Sequence, residues 1–325
     1  MFQQSDFLWG TLEFLIFANY NLLDMKIRDY IIVGPTASGK SGFADKLARK
    51  IGGVIINCDS VQIYRGIENI SASPFAERTD EIASEMLEGV PYKLFSVLDL
   101  STQQSVSDYL DLARREYEKA HALGQSAIFV GGTGYYANAL LNGISQIPNV
   151  SDESRKKARE LVANDIDAAR KMLPPEFTAT DPQRVARALE VFFETGHHIT
   201  EYQNKPRIGA VLPADTVKIL INPDNDILRR RIADRIPEML SGGAMDEARA
   251  IIENNWNPTR AIGAVQLVDF LTGKITKDAA IQNWITKTNQ YAKRQRTWFR
   301  GQFVADIEIT HIPNDADVES VIRNI

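Results

Sequence analysis

Short, wholly apolar runs alternate along the chain with longer stretches whose apolar residues recur every three or four positions. The first run, Tyr30-Ile31-Ile32-Val33, leads through a glycine-bounded loop into the amphipathic stretch Phe43 to Lys50, which predicts strand, loop and helix. Gly53-Val54-Ile55-Ile56-Asn57, Ser126-Ala127-Ile128-Phe129-Val130 and Thr216-Val217-Lys218-Ile219-Leu220-Ile221 are apolar with little alternation, the pattern of parallel strands covered on both faces. Helices are predicted over 105–123, where Val106, Tyr109, Leu110, Ala113 and Tyr117 share a face before Gly124, and over 228–240. A third runs over 278–300, with Ile281, Trp284, Ile285, Thr288, Tyr291, Ala292, Trp298 and Phe299 as a core-facing stripe. The stretch 71–100 shows neither period and reads as loop. From Pro148 the chain turns charged and helical: Ser151-Asp152-Glu153 opens a helix over 155–163, and a second piece, 165–173, stops at Pro174-Pro175. Asp181-Pro182-Gln183-Arg184 then opens a helix through Phe193, closed by Gly196. The expectation is an α/β fold, a parallel sheet flanked by helices. Its core is contributed by 25–145 and 206–325 and is interrupted by a small helical insertion at 146–205.

Composition narrows this picture little. The chain has 325 residues, 44% hydrophobic and 24% charged, ordinary values for a globular protein of one or two domains. A single cysteine, Cys58, excludes an internal disulfide and fits a reducing compartment. The four histidines show no metal-ligand spacing. A net charge of −5 argues against a nucleic-acid binder that uses its whole surface, though a local basic patch remains open. Residues 1–24 are aromatic-rich but lack a basic leader and carry Glu13, so they make a poor signal peptide and a poor membrane span. Met25 stands just before the first core strand, and the functional chain is expected to begin there, with 1–24 as an extension.

Chemistry is concentrated where strands end. Gly34-Pro35-Thr36-Ala37-Ser38-Gly39-Lys40-Ser41 has the spacing of a P-loop and the strand–helix flanks that such a loop requires. Its backbone N–H groups and the following helix dipole suit a diphosphate or triphosphate, Lys40 supplies a cation, and the Ser41 hydroxyl can reach bound Mg2+. The bland alternative is a glycine-rich turn with an incidental lysine. Asp59 follows a strand end, where open α/β sheets bind ligands; the alternative is a helix N-cap, a role Ser60 could also fill. Gly131-Gly132-Thr133-Gly134 lies past another strand and brings Thr133 to the same edge. Arg231 and Arg235 stack on one helix face and suit a phosphate chain, with ion pairs to Asp234 and Glu238 as the alternative. Arg184 and Arg187 share a face that is either solvated or phosphate-binding. Lys293, Arg296 and Arg300 align on the last long helix with Arg294 beside them, and acids are absent from 286–303, so this cationic ridge reads as a nucleic-acid contact.

Taken together, the chain resembles the bacterial tRNA dimethylallyltransferases, also called tRNA isopentenyltransferases. The resemblance rests on GPTASGKS at 34–41, NCDSVQIYRG at 57–66, VGGTGYY at 130–136, DPQRVARALEVFFETG at 181–196, RIADRIPEML at 231–240 and YAKRQRTWFR at 291–300. It implies a P-loop NTPase-like fold whose P-loop, residues Gly34 to Ser41, holds the diphosphate of dimethylallyl diphosphate with Mg2+. The prenyl group passes to N6 of adenosine 37, 3′ of the anticodon in tRNAs that read codons starting with U. The products are N6-(dimethylallyl)adenosine and diphosphate. The resemblance further implies catalytic roles for Asp59 as general base and for Thr36, Lys40 and Arg235 at the diphosphate. Asp59, Ser60, Val61, Gln62, Thr133, Arg155, Gln183, Arg184, Val185, Ala186, Arg187, Lys293, Arg294, Arg296 and Arg300 match segments that contact tRNA. It implies a cytoplasmic, monomeric enzyme that needs no membrane.

Several positions depart from the family pattern. Ser73 replaces a lysine before Pro74, Tyr92 replaces the histidine of a Pro-His pair, and Ala264 and Val265 replace a tyrosine and a basic residue. Asn289 stands where an arginine is usual and Arg296 where an aliphatic is usual, from which a relocation of the charge by two turns is expected. Three alternatives bear on function. An ATP-using P-loop enzyme lacks a Walker-B acid after Ile128–Val130; a prenyltransferase for free adenine nucleotides leaves the basic helix unexplained; an inactive tRNA binder leaves the complete set Asp59, Thr36, Lys40 and Arg235 unexplained.

Overall fold

The computed structural model describes residues 27–76, 78, 81–82 and 85–324, so the expected start at Met25 and the extension before it lie outside the described residues. The strands are β1 (Tyr30–Val33), β2 (Val54–Asn57), β3 (Met86–Leu87), β4 (Val90–Lys93), β5 (Ala127–Gly131), β6 (Val217–Ile221) and β7 (Ile307–Ile309). They form one seven-stranded sheet in the order β3-β4-β2-β5-β1-β6-β7. Every pairing is parallel except the β3–β4 hairpin. β1 is central: Tyr30 to Val33 pair with Ile128 to Gly131 on one side and with Val217 to Leu220 on the other.

The central strands are apolar on both faces because both are covered. Ile31, Val33 and Ile56 face a cluster that includes helices α2 (Val106–Ala122) and α3 (Gly134–Asn142). The same cluster takes residues from α8 (Asn225–Met239), α9 (Met245–Glu253), α10 (Ala264–Leu271) and α11 (Lys277–Gln302). Tyr30, Ile32 and Ile55 face the opposite cluster, closed by Phe43 and Leu47 of α1 (Lys40–Ile51) and Val318 and Val321 of α12 (Asp315–Arg323). Each large side chain removed from water in this way contributes ~1.5–3 kcal/mol.

Three strands have no signal in the sequence pattern: β3, only two residues long, β4 and β7. β4 carries Pro91 and alternates buried with half-buried residues, and its Tyr92 and Lys93 pair with Ile55 and Ile56. A proline and a four-residue length erase the apolar-run signal. β7 is three residues long in polar surroundings and reveals itself only by pairing with β6.

Between the halves of the sheet, α4 (Asp152–Asn164), α5 (Ile166–Lys171), α6 (Pro182–Thr195) and α7 (Ile199–Gln203) enclose a separate cluster around Ala158, Val162, Val185, Leu189 and Val191. None of these residues belongs to the two sheet-face clusters. Asp181 caps α6 by accepting a hydrogen bond from the Arg184 N–H at 3.1 Å, and Gly196 ends it in the left-handed conformation. The two connections to the core are fastened to one another, Ile144 N–H to Ile208 O at 2.9 Å and Ile208 N–H to Ile144 O at 3.0 Å.

Candidate active site

The loops at the C-terminal ends of β1 and β2 line one cleft of about 540 Å³. Its walls include Thr36, Lys40, Ser41, Asp59, Arg231 and Arg235 on the polar side, and Ile70, Met239, Ile262 and Trp284 on the apolar side.

The loop after β1 is tightly built. A Cβ on Gly34 would lie 2.2 Å from the Ile221 carbonyl oxygen, so only glycine lets the loop pass the end of β6. Ala37 holds φ 66° and Gly39 φ 90°, and the turn between them leads directly into α1. A left-handed alanine is strained, and such strain persists only where surrounding contacts enforce it. Here they come from α8: Arg231 Nε donates to the Ala37 carbonyl at 2.8 Å and Arg235 Nη2 to Thr36 Oγ1 at 2.9 Å. The alternative for these arginines, ion pairs with Asp234 and Glu238, is not formed within 4 Å among the described residues. Burial, reinforced by Arg231, pushes Arg235 down to about 10, and its buried Nε has no partner among the described residues. Lys40 Nζ donates to the Pro35 carbonyl at 3.4 Å; burial pushes the amine down to about 8, with Asp59 opposing and Arg235 adding. The buried Ser38 hydroxyl is likewise unpartnered. Cations with few acids beside them and idle donors make a site for a polyanion.

Asp59 stands opposite. Its Oδ1 accepts the N–H groups of Val61 at 2.9 Å and Gln62 at 3.4 Å, which fixes the turn after β2. Asn57, fully buried, pins the same turn: its Oδ1 accepts Asp59 N–H at 2.9 Å, and its Nδ2 donates to the carbonyls of Asp59 at 2.9 Å and Leu94 at 3.0 Å. Asp59 Oδ2 accepts no hydrogen bond from the described residues, which leaves a carboxylate lone pair for a substrate proton. No helix follows Asp59, so the cap reading is not met: Oδ1 holds a turn, and Oδ2 is left for a ligand. Thr133 ties the β5 loop to this turn, accepting Ser60 N–H at 2.9 Å and donating to Ser60 Oγ at 3.2 Å. Cys58 is buried beneath, its thiol pushed up to about 12 by burial, and is inert as a nucleophile. Burial, then the Asp59 charge, holds the Tyr291 phenol well above its ordinary value, so it stays protonated.

Of the residues matched to tRNA-contacting segments, Asp59, Ser60, Val61, Gln62 and Arg294 line the cleft. Lys293, Arg294 and Arg300 are exposed on α11, with Arg294 5.6 Å over the Tyr291 ring. Arg155, Gln183 and Arg184 are exposed on the insertion and Arg187 is partly so.

Three expectations are corrected. Arg296 is only 8% exposed and does not lie on the cationic ridge: Nε donates to Asn222 Oδ1 at 2.9 Å and Nη1 to Asn225 Oδ1. Its charge is committed to the β6–α8 junction, so no relocation of a surface charge from position 289 has occurred. Val185 and Ala186 are 0% and 7% exposed within the insertion core, so their side chains are not available to a polynucleotide. They follow Arg184 along a helix whose inner face they occupy.

Gln295, Asn57 and Trp284 were missed as site residues. Gln295 carries a visible signal, a polar residue on the otherwise apolar stripe of α11. Asn57 carries none, since its role depends on Leu94, distant in sequence.

A Mg2+ ion fits this donor set. Among the described residues no three His, Cys, Asp or Glu side chains form a metal cluster, but Mg2+ is commonly held by one or two protein oxygens together with substrate phosphates. The Ser41 hydroxyl beside Lys40 in the cleft provides such an oxygen.

Comparison with known proteins gives a consistent result. The family model described as IPP transferase matches residues 62–302, and one described as isopentenyl transferase matches residues 27–88. A tRNA dimethylallyltransferase of Methylocella silvestris is 38% identical over 289 residues, covering 85% of this chain and 93% of the relative. One from Agrobacterium fabrum is 34% identical over 87% of this chain and 97% of its own. Among solved structures, the tRNA isopentenylpyrophosphate transferase of Bacillus halodurans superposes with a TM-score of 0.63 at 30% identity, covering 92% of this chain and 95% of that one. A eukaryotic dimethylallyltransferase captured acting on tRNA gives 0.70 at 26% identity, over 92% and 79% of the two chains.

Proposed function

The chain belongs to the IPP transferase family, and we propose that its cleft moves the dimethylallyl group of dimethylallyl diphosphate onto N6 of the adenosine 3′ of a tRNA anticodon, position 37. As in its relatives, the activity is transfer of a dimethylallyl group to tRNA. The observation that carries the finer reading is the composition of the cleft. Ile70, Met239, Ile262 and Trp284 make an apolar wall shared with the P-loop cations and with Asp59. A short prenyl chain fits such a wall, with its diphosphate at Lys40 and Arg235.

The chemistry then balances. The N6 amine attacks C1 of the dimethylallyl group; the C1–O bond breaks, and the electron pair leaves with diphosphate. The proton lost from N6 is accepted at Asp59 Oδ2, which is free for it. The charge on the departing diphosphate is met by the P-loop N–H groups, Lys40 and Arg235, with Thr36 held in place by Arg235. Mg2+ would be held with the help of the Ser41 hydroxyl and would supply positive charge at the leaving group. An adenine in a stacked loop cannot reach this depth, so the nucleotide is flipped out. Arg184 and the exposed Lys293, Arg294 and Arg300 are placed to hold the phosphates around it. Both half-sites come from one chain, which supports a monomer, and no described helix is long and apolar enough to cross a membrane. The place of action is the cytoplasm.

The test uses unmodified tRNA transcripts and dimethylallyl diphosphate labelled in the prenyl carbons. Label should appear as N6-(dimethylallyl)adenosine after digestion, and an A-to-G change at position 37 should abolish it. Equal labelling of the changed transcript would overturn the assigned acceptor.

A further inference from the structure

Gln295 is buried on α11, 6% exposed, and both ends of its carboxamide are used by loops that approach the cleft from different strands. Oε1 accepts the Thr36 N–H at 2.8 Å, and Nε2 donates to the Gly132 carbonyl at 2.8 Å. The contact is close: a Cβ at residue 132 would lie 2.3 Å from Nε2, so a side chain there would displace the Gln295 amide from the Gly132 carbonyl. The same Cβ would lie 3.4 Å from Asp59 Oδ2 and 3.4 Å from the Gly34 carbonyl oxygen, so donor loop, acceptor loop and base converge at this point. One turn earlier on α11, Tyr291 meets the side chains of Thr133 and Gln295.

The consequences for Thr36 are specific. Its amide is turned to Gln295 while its hydroxyl receives Arg235, so two helices fix one residue of the diphosphate loop from opposite sides. Gly132 precedes Thr133, which fastens the Asp59 turn through Ser60. A single side chain thereby sets the separation between the loop that holds the leaving group and the loop that positions the base.

We propose that Gln295 is a positioning residue for the prenyl transfer: its carboxamide fixes the P-loop against the Gly131–Thr133 loop, so that C1 of the bound donor and the acceptor nitrogen beside Asp59 meet at reacting distance. This rests on the transfer reaction described above. Gln295 touches neither substrate; it acts through Thr36 and Gly132. Misplacing reacting groups by about 1 Å costs ~100-fold in rate while leaving each half-site able to bind its own ligand.

The experiment compares the full-length wild type with Gln295→Met and Gln295→Glu, at saturating prenyl diphosphate and tRNA and under single turnover. Gln295→Met keeps the volume and removes both hydrogen bonds; kcat should fall roughly 10- to 100-fold with KM for each substrate within about threefold. In Gln295→Glu the ionised carboxylate still accepts from Thr36 but faces the Gly132 carbonyl without a proton to donate; when protonated it can donate there. The kcat ratio of Gln295→Glu to wild type should therefore rise several-fold between pH 8 and pH 6. A merely structural role would lower the melting temperature of both variants and leave this ratio flat. Wild-type kcat in Gln295→Met, or a pH-independent ratio in Gln295→Glu, would overturn the proposal. Failure of the wild type to label tRNA would strike the transfer reading instead, so the two failures are distinguishable.

Discussion

The edge of the sheet and the helical insertion use arginine in opposite ways. In the insertion the arginines are largely neutralised within it. Glu190, 5% exposed, takes Arg159 at 3.2 Å and Arg187 at 3.2 Å, and Arg155 lies 3.4 Å from Asp152. At the sheet edge, Arg231 and Arg235 are held by backbone and hydroxyl oxygens and have no carboxylate partner among the described residues. The first arrangement consumes charge to hold helices together; the second preserves charge for a ligand and fixes its direction. Position on one helix face does not separate these cases. Partners do.

The largest effect that could break the contrast is at Asp59. Asp59→Asn retains an oxygen for the Val61 N–H and so preserves the turn, yet removes the base; kcat should drop by about two to four orders of magnitude with tRNA affinity nearly intact. Undiminished single-turnover transfer would remove Asp59 from the chemistry. Arg235→Met should come next, with a loss of roughly 100- to 1,000-fold in kcat/KM for the donor from a group directed at developing charge. A comparable loss with Arg187→Met would erase the distinction between the two regions.

A smaller effect is expected from pH. Lys40 lies at about 8 in the free protein, and a bound diphosphate favours its charged form and raises it further. Binding therefore takes up a proton above pH 8. Donor affinity should be level below that point and fall by up to tenfold per pH unit above it, as a titration series of Kd across pH 7–9.5 would reveal. Lys40→Arg should flatten the curve.

The smallest effects concern the polynucleotide. Arg184 makes no ion pair among the described residues, and Arg184→Ala should lower the slope of log Kd for tRNA against log salt by roughly one. Arg296→Leu should leave that slope unchanged and instead destabilise the fold by ~1–3 kcal/mol, since it strands Asn222 and Asn225, a difference that thermal melting and filter binding report separately.

The legibility of the molecule from its sequence follows the same division. Strands β1, β2, β5 and β6 announce themselves because both faces are buried, and the loops that follow them carry glycines and polar residues at predictable places. The short β4, interrupted by Pro91, and β7 have no pattern of their own and exist through pairing with neighbours. Lys40, Asp59 and Arg235 were legible because their position past a strand or on an exposed-looking helix matched their chemistry. Arg296 misled because helical spacing from Lys293 and Arg300 says which residues align, not which of them turns inward to meet Asn222. Gln295 is half legible: a polar residue on a largely apolar stripe can be seen, but its partners are two backbone groups 259 and 163 positions away. Periodicity records burial; it does not record what a buried polar group touches.

In the proposed reaction the phosphate loop grips a leaving group and not a phosphoryl donor. The direct measurement supplies tRNA with dimethylallyl diphosphate labelled separately in carbon and phosphorus and follows both labels. One intact diphosphate should be released for each prenylated adenosine, with no phosphorus in the tRNA. Orthophosphate as the product, or phosphorus label in the nucleic acid, would contradict it.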